Sequence, residues 1–166
     1  MKKLTLILAL SISAFAQDLP SRVVFAGTGW TARQGMPTTG FAGLAVKMTD
    51  SAGGLYSCSS VLATSQTNSF ASGLAKPLPH VAFVTPWIIA TGGLASGNGS
   101  VALTYGGGVL ASAALADLFA AAHLPMRPPG IVFAGAQINQ INSARGIPFA
   151  GVNLTPGFGF AFPWGQ

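Results

Sequence analysis

The residues that could do chemistry are few, and their spacing does not fit a known catalytic pattern. Ser96, His80 and Asp117 are the residue types of a nucleophile, a general base and its orienting carboxylate. The sequence Gly93–Gly97 around Ser96 lacks the G-x-S-x-G spacing that holds a nucleophilic serine on a sharp turn. His80 and His123 lack the spacing of metal ligands. We therefore predict no catalytic residue, no metal site and no enzymatic activity.

The glycine-rich segments do not form a cofactor motif either. Gly27-Thr28-Gly29 lacks the third glycine of the dinucleotide fingerprint, and Gly106-Gly107-Gly108 is not followed by the Lys of a phosphate-binding loop. We expect these glycines to fit crowded positions in β-strands, and we predict no cofactor. Cys58 is the single cysteine, so it cannot form an intrachain disulfide, and we interpret it as a small, partly buried side chain.

Composition excludes several classes of protein. The 166 residues include 8 Lys and Arg, 3 acidic residues and 22 Gly, and 50% are hydrophobic. Charged residues make up 7%, against about 25% in an ordinary soluble domain, so a conventional cytosolic enzyme is disfavoured. Disorder is disfavoured as well, because it requires low hydrophobicity and high net charge. The basic residues are scattered along the chain and form no patch, so we predict no nucleic-acid partner.

The first sixteen residues have the three parts of a secretory signal peptide. Lys2 and Lys3 form a basic region, Leu4–Ile12 is an apolar segment too short to span a bilayer, and Ala14-Phe15-Ala16 is a cleavage site. We predict a bacterial signal peptide over 1–16, removed before Gln17, and one domain over 17–166. The apolar excess persists in the remaining 150 residues, so it is a property of the mature chain.

A transmembrane helix accounts poorly for this excess. The best helical window, Val101–His123, contains Gly106–Gly108, and each Gly disfavours a helix by about 1 kcal/mol relative to Ala. The other apolar stretch, Val81–Leu94, is short and contains Pro86. In hydrocarbon the remaining option is a closed barrel of tilted strands, each about 9–11 residues long.

Four segments alternate large apolar residues with small or polar ones at the period of a β-strand. They are Thr39–Met48, Val101–Ser112, Ile131–Asn139 and Gly151–Trp164. Side chains alternate across a strand, so one face of each segment should meet lipid or a core and the other a narrow or polar interior. Lys47, Gln137 and Asn153 lie on the second face, and we predict that they point inward.

Four further segments are weaker strand candidates and bring the predicted number of strands to eight. They are Arg22–Arg33, Leu55–Thr64, Ser69–Lys76 and Val81–Ala95. Turn residues separate the candidates, and Asn98-Gly99 predicts a tight hairpin because both residues tolerate positive φ. The Ala- and Leu-rich segment Ser112–His123 favours a short helix in a connection. Trp30 and Trp164 lie near predicted strand ends, which suits aromatic residues at the two membrane interfaces.

The chain resembles a small outer-membrane β-barrel protein of the eight-stranded, porin-like or OmpA-like type. The residues that carry the resemblance are MKKLTLILALSISAFA, VVFAGTGW, IVFAGAQI and GVNLTPGFGFAFPW. The resemblance implies that Phe158, Phe160, Phe162 and Trp164 form the signal that the barrel-assembly machinery reads. Two features depart from the pattern, since residues 163–166 run past the expected terminal aromatic and Pro156 lies within the final strand.

The sequence therefore predicts an all-β, single-domain, antiparallel transmembrane barrel of about eight strands with a short helix near 112–123. We expect an outer-membrane protein with a structural or surface role, whose partners are outer-membrane lipid and, during insertion, the barrel-assembly machinery. Small inward residues leave open whether the lumen is a narrow pore or closes on itself, and the oligomeric state is also open. The alternatives are a secreted, glycine-rich β protein that self-associates or adheres to surfaces, and a soluble lipid-carrying barrel.

Overall fold

The computed structural model describes residues 19–30, 38–50, 54–64, 67–142 and 151–165, so the predicted signal peptide lies outside the described residues. Within these ranges the chain forms a closed, antiparallel, eight-stranded barrel in which each strand pairs with its neighbours in sequence and β1 pairs with β8. The elements are β1 (Arg22–Trp30), β2 (Thr38–Thr49), β3 (Leu55–Ala63), β4 (Asn68–Pro77), β5 (Thr85–Gly97), β6 (Ser100–Ala114), α1 (Leu115–Ala121), β7 (Ile131–Ile141) and β8 (Gly151–Pro163).

The two ends of the barrel differ in their connections. We call the base the end that holds the start of β1, the end of β8 and the connections after β2, β4 and β6. The opposite end, which holds the connections after β1, β3, β5 and β7, is the tip. The connection after β6, which contains α1, therefore lies at the base.

The predicted alternation of faces is present in the strands. On β8, Phe158 and Phe160 are exposed on the outer face, whereas Gly159 and Ala161 between and after them are buried. The same alternation appears on β2, where Leu44 is exposed and Ala45 is buried. In these two strands the period-two pattern of the sequence therefore identifies the inner and outer faces.

The Asn98-Gly99 turn is confirmed. These two residues have φ values of 48° and 76° and join β5 to β6, with Gly97 paired to Ser100. Positive φ at both central residues gives the turn a twist that matches that of the strands. The hairpin fixes the register of the two longest neighbouring strands.

Several strand boundaries differ from the sequence prediction, and two of the differences alter the connections before β5 and after β6. The fifth strand begins at Thr85 instead of Val81, because Val81 and Val84 pair with each other across a turn in which Ala82 has a φ of 55°. The sixth strand continues past Ser112 to Ala114, which pairs with Ile131.

The predicted short helix is confirmed as α1, over Leu115–Ala121. The Leu115 amide donates to the Gly130 carbonyl at 3.0 Å, which ties the start of the helix to the start of β7. After the helix, His123 has a φ of 57° and the Leu124 amide donates to the Phe119 carbonyl at 2.8 Å. In the described part of the chain, no helix is long and apolar enough to cross a bilayer.

Candidate functional site: the outer belt and the lumen

The outer face of the barrel carries the large apolar side chains. Among the described residues, 24 large hydrophobic side chains are exposed, and each of the eight strands contributes at least one. The buried hydrophobic residues are six alanines and Tyr56. We call the exposed apolar side chains of the strands the outer belt. Many large apolar side chains of the described barrel are therefore exposed, whereas those of a soluble protein are mostly buried.

In the part of the chain that the structure describes, the charged side chains lie at the base end of the barrel. All of them lie in the strand ends or connections at the base, and they are Arg22, Lys47, Asp50, Lys76, Asp117 and Arg127. The central part of the outer belt, as described, is therefore free of formal charge.

The aromatic residues of the final strand lie within the outer belt. Phe158, Phe160 and Phe162 alternate along β8 and expose 47%, 46% and 45% of their surface. Their strand pairs with both β1 and β7, so it is the strand that closes the barrel. Trp164 follows the strand, and its amide donates to the Arg22 carbonyl at 3.0 Å. Pro156, which departs from the expected pattern, lies on the outer face opposite Ala136 of β7.

The tryptophans occupy three different environments. Trp30 lies at the tip end of β1 and Trp164 at the base, and both side chains are about half exposed. Trp87 points into the lumen, where its indole Nε1 donates to Ser112 Oγ at 2.8 Å. Two of the three tryptophans therefore mark opposite ends of the barrel, and the third belongs to its interior.

The lumen contains a mainly apolar cavity, which we call the luminal chamber. It extends from Leu19 at the base to Thr39 and Leu62 toward the tip. Its volume is about 210 Å³. Its largest lining side chains are Phe25, Phe41, Tyr56, Trp87, Ile89 and Phe133. The lining also contains the buried alanines Ala45, Ala75 and Ala161, and no charged residue lines it among those that the structure describes.

Three phenylalanines form a cluster on one side of the luminal chamber. The ring centroids of Phe25, Phe41 and Phe133 lie 6.0–6.5 Å apart, and Phe25 meets Phe133 edge-on at 85°. These spacings are those of favourable aromatic pairs. On the opposite side, the Tyr56 and Trp87 rings meet edge to face at 5.3 Å.

The segment before β1 lies at the base end of the luminal chamber. Leu19 and Pro20 line the cavity, and the Tyr56 hydroxyl donates to the Pro20 carbonyl at 3.0 Å. Tyr56 is the most buried large side chain of the described residues, with 2% of its surface exposed. The hydroxyl therefore ties the entering chain to the inner wall of β3.

The tip half of the lumen is polar. It contains a second cavity of about 90 Å³, lined mainly by Thr39, Ser60, Thr64, Thr67, Ser69, Thr104, Asn139 and Thr155. Gln137 lies between the two halves, and its Nε2 donates to Thr91 Oγ1 of β5 at 3.2 Å. Asn153 is buried in the tip half, where its Nδ2 donates to the Gly151 carbonyl at 3.1 Å.

Lys47 lies at the base end of β2 and is mostly buried. Its Nζ lies 2.6 Å from Asp50 Oδ1, and the exposed fraction of the side chain is 21% for Lys47 against 90% for Asp50. The inner face of β2 thus ends in an ion pair at the mouth of the lumen. Together, Lys47, Gln137 and Asn153 occupy the base, the middle and the tip of the interior.

The interior contains large aromatic side chains beside the mostly small inward residues that the sequence predicts. The sequence places Phe25, Tyr56, Trp87 and Phe133 among small residues on four different strands, so no single segment contains an aromatic cluster. Only the register of the closed barrel brings them together. In the sequence, each of these aromatic residues occupies an inward position in the period-two pattern of its own strand.

No protein-family model matches the sequence, and no significantly similar curated protein was found. Within the described ranges, no three His, Cys, Asp or Glu side chains lie close enough together to hold a metal ion. The features of the described residues that bear on function are therefore the outer belt and the lumen.

Proposed function

We propose that this chain is an integral β-barrel protein of the bacterial outer membrane with a structural or surface role. The observation that carries the proposal is the distribution of side chains on the outside of the barrel, where every strand exposes at least one large apolar residue. Lipid is the surrounding in which such an outer face is stable, because each exposed apolar side chain would otherwise remain in water.

The positions of the charged and aromatic residues support the same proposal. Arg22 and Lys76 project from the outer face at the base, where a long stem can lie against apolar surface while the charged group reaches the headgroups. Trp30 and Trp164 lie at opposite ends, which suits the two aromatic girdles of a membrane barrel. The strands have 9–15 residues, enough to cross the hydrocarbon when tilted.

The two alternatives are supported less well. A soluble lipid-carrying barrel shares the apolar cavity, but its outer face would have to be polar along all eight strands. A secreted protein that self-associates by strand pairing needs a free sheet edge, and closure of β1 on β8 leaves none in the barrel wall.

For the lumen, we propose a closed interior in place of an open water-filled pore. The cluster of Phe25, Phe41 and Phe133 narrows the base half, and an apolar constriction resists wetting and therefore ion passage. Recording from the purified protein in planar bilayers should show no discrete conductance steps. Reproducible single-channel steps that require the protein would contradict this part of the proposal.

The location is tested by fractionation of cells that express the full chain. We expect the protein in the outer-membrane fraction, with a mobility in detergent gels that changes when the sample is boiled, because a folded barrel resists detergent. A protein released into the medium or the periplasm without a heat-dependent mobility change would overturn the proposal. A change in mobility for a periplasmic protein would favour the soluble lipid-carrying barrel.

A further inference from the structure

We propose that the luminal chamber is a binding site for a small, uncharged, apolar molecule of about the size of a substituted aromatic ring. This inference goes beyond membrane anchoring and concerns the interior, whatever surrounds the outer belt. An eight-stranded barrel is just narrow enough for side chains to fill it, yet here a cavity of about 210 Å³ remains in the lumen.

The cavity persists because small residues stand where larger ones would fill it. Ala45, Ala75 and Ala161 line the chamber on three different strands and are each 6% exposed. An apolar cavity of about 150 Å³ stays dry and accepts benzene, so a chamber somewhat larger than this has room for one substituted ring. Drug-sized ligands need pockets of about 300 Å³ or more, which sets an upper limit on the ligand.

The lining also selects against charge and strong hydrogen-bonding groups. It includes no charged residue. Its larger polar groups bond to the protein, since Trp87 Nε1 donates to Ser112, the Tyr56 hydroxyl donates to Pro20 and Gln137 Nε2 donates to Thr91. The hydroxyl-bearing residues Thr39, Ser60 and Thr155 line the end of the chamber toward the tip. A charged ligand would lose its hydration in the chamber without gaining a partner, at a large cost. The aromatic edges and faces of Phe25, Phe133 and Trp87 instead offer contacts to an apolar ring.

Bromobenzene is the probe, because bromine quenches tryptophan fluorescence on close approach. The variant Trp30→Phe/Trp164→Phe leaves Trp87, in the chamber wall, as the single tryptophan of the chain. With the purified protein in phosphatidylcholine vesicles, bromobenzene should quench Trp87 to a plateau at saturating concentration. The matched probe 4-bromobenzoate carries a carboxylate on the same ring and should be at least about tenfold weaker.

Two further substitutions separate binding in the chamber from partition into the bilayer. Cys58 lines the chamber and Ser59 faces outward on the same strand, so Cys58→Phe fills the cavity and Ser59→Phe adds the same ring outside. Cys58→Phe should raise the half-saturating concentration more than about tenfold, whereas Ser59→Phe should leave it unchanged. Quenching that does not saturate, or that is equal in the two variants, would overturn the proposal.

Labelling of Cys58 gives a second measurement if Cys58→Phe does not fold. Cys58 is the single cysteine, so methyl methanethiosulfonate modifies this position alone. Saturating bromobenzene should slow the labelling several-fold, and an unchanged rate would contradict binding in the chamber. If the protein proves to be soluble instead of membrane-embedded, both measurements apply unchanged in buffer, so failure of the proposed location does not decide this inference.

Discussion

The ring of Phe41 on β2 lies over Gly27, its cross-strand partner on β1. A Cβ atom added to Gly27 would lie 2.5 Å from Phe41 Cζ, closer than real Cβ contacts come. The reciprocal pair, Phe25 and Gly43, has the same arrangement on the same two strands, with a corresponding distance of 2.6 Å. Phe133 lies over Gly159 on β7 and β8 in the same way. The inward glycines therefore provide the space that the aromatic cluster occupies.

Removing the Phe41 ring should destabilise the barrel. We expect Phe41→Ala to lower the free energy of unfolding by about 3–5 kcal/mol, since the ring is lost from the Phe25–Phe133 cluster and no side chain on Gly27 can fill the space. Urea unfolding in vesicles, followed by tryptophan fluorescence, measures the change. Leu44→Ala, on the outer face of the same strand, should cost less because mobile lipid chains can fill the gap. Equal losses would contradict the claim that the two faces meet different surroundings.

The adjacent glycines Gly92 and Gly93 give a direct test of crowding inside the wall. A Cβ atom on Gly93 would collide with the Phe70 carbonyl and lie 2.8 Å from Ala71 Cα, whereas on Gly92 its nearest neighbour would be the Thr104 carbonyl at 3.9 Å. We expect Gly93→Ala to lower the unfolding free energy by about 1–3 kcal/mol, the usual cost of overpacking. Gly92→Ala should be close to neutral. The same urea titration measures both, and a neutral Gly93→Ala would show that the wall is not crowded there.

The strands that are easiest to predict from the sequence are those in which the side chains on the two faces differ most in size. In β8 the outward residues include Phe158, Phe160 and Phe162, while the inward ones include Gly157 and Gly159, so the alternation is evident without a structure. In β3 and β4 the outward positions include Ser57, Ser59 and Ser72, and the contrast between faces is lost. Those segments become strands because their neighbours on both sides pair with them.

The interior could not be read from the sequence because it depends on the stagger of the closed barrel. Tyr56 and Trp87 lie on strands that are not adjacent, yet their rings meet at 5.3 Å. Likewise, Gln137 reaches Thr91 across β6, whose intervening inward positions include the glycines Gly106 and Gly108. Local patterns identify which side chains point inward, but only the register determines which of them meet.

The role of the final strand in assembly is a separate prediction. Changing Phe158, Phe160 and Phe162 together to Ala should slow insertion into the outer membrane of cells, because the proposed recognition signal is removed. Folding of the same purified variant into vesicles should be affected much less. Pulse-chase labelling, with the heat-dependent mobility change as the measure of folding, gives both rates.

A control triple variant distinguishes recognition from a general loss of apolar surface. Leu103, Tyr105 and Val109 are exposed on the outer face of β6, and their replacement by Ala removes lipid-facing area from another strand. This variant should insert in cells at close to the normal rate. If both triple variants are delayed equally, the aromatic residues of β8 act through lipid contact, and the assigned signal is wrong.

The central claim, that the outer belt lies in lipid, is tested most directly by placing one charge at two depths on one strand. Leu44 lies near the middle of β2 and Met48 near its base end, and both side chains are exposed outward. In vesicles we expect Leu44→Arg to lower the unfolding free energy by about 2–4 kcal/mol and Met48→Arg by about 0–1 kcal/mol, as for a charge at the bilayer centre and near its interface. Equal, small effects of the two substitutions would contradict the account, because an outer face in water would tolerate Arg at either position.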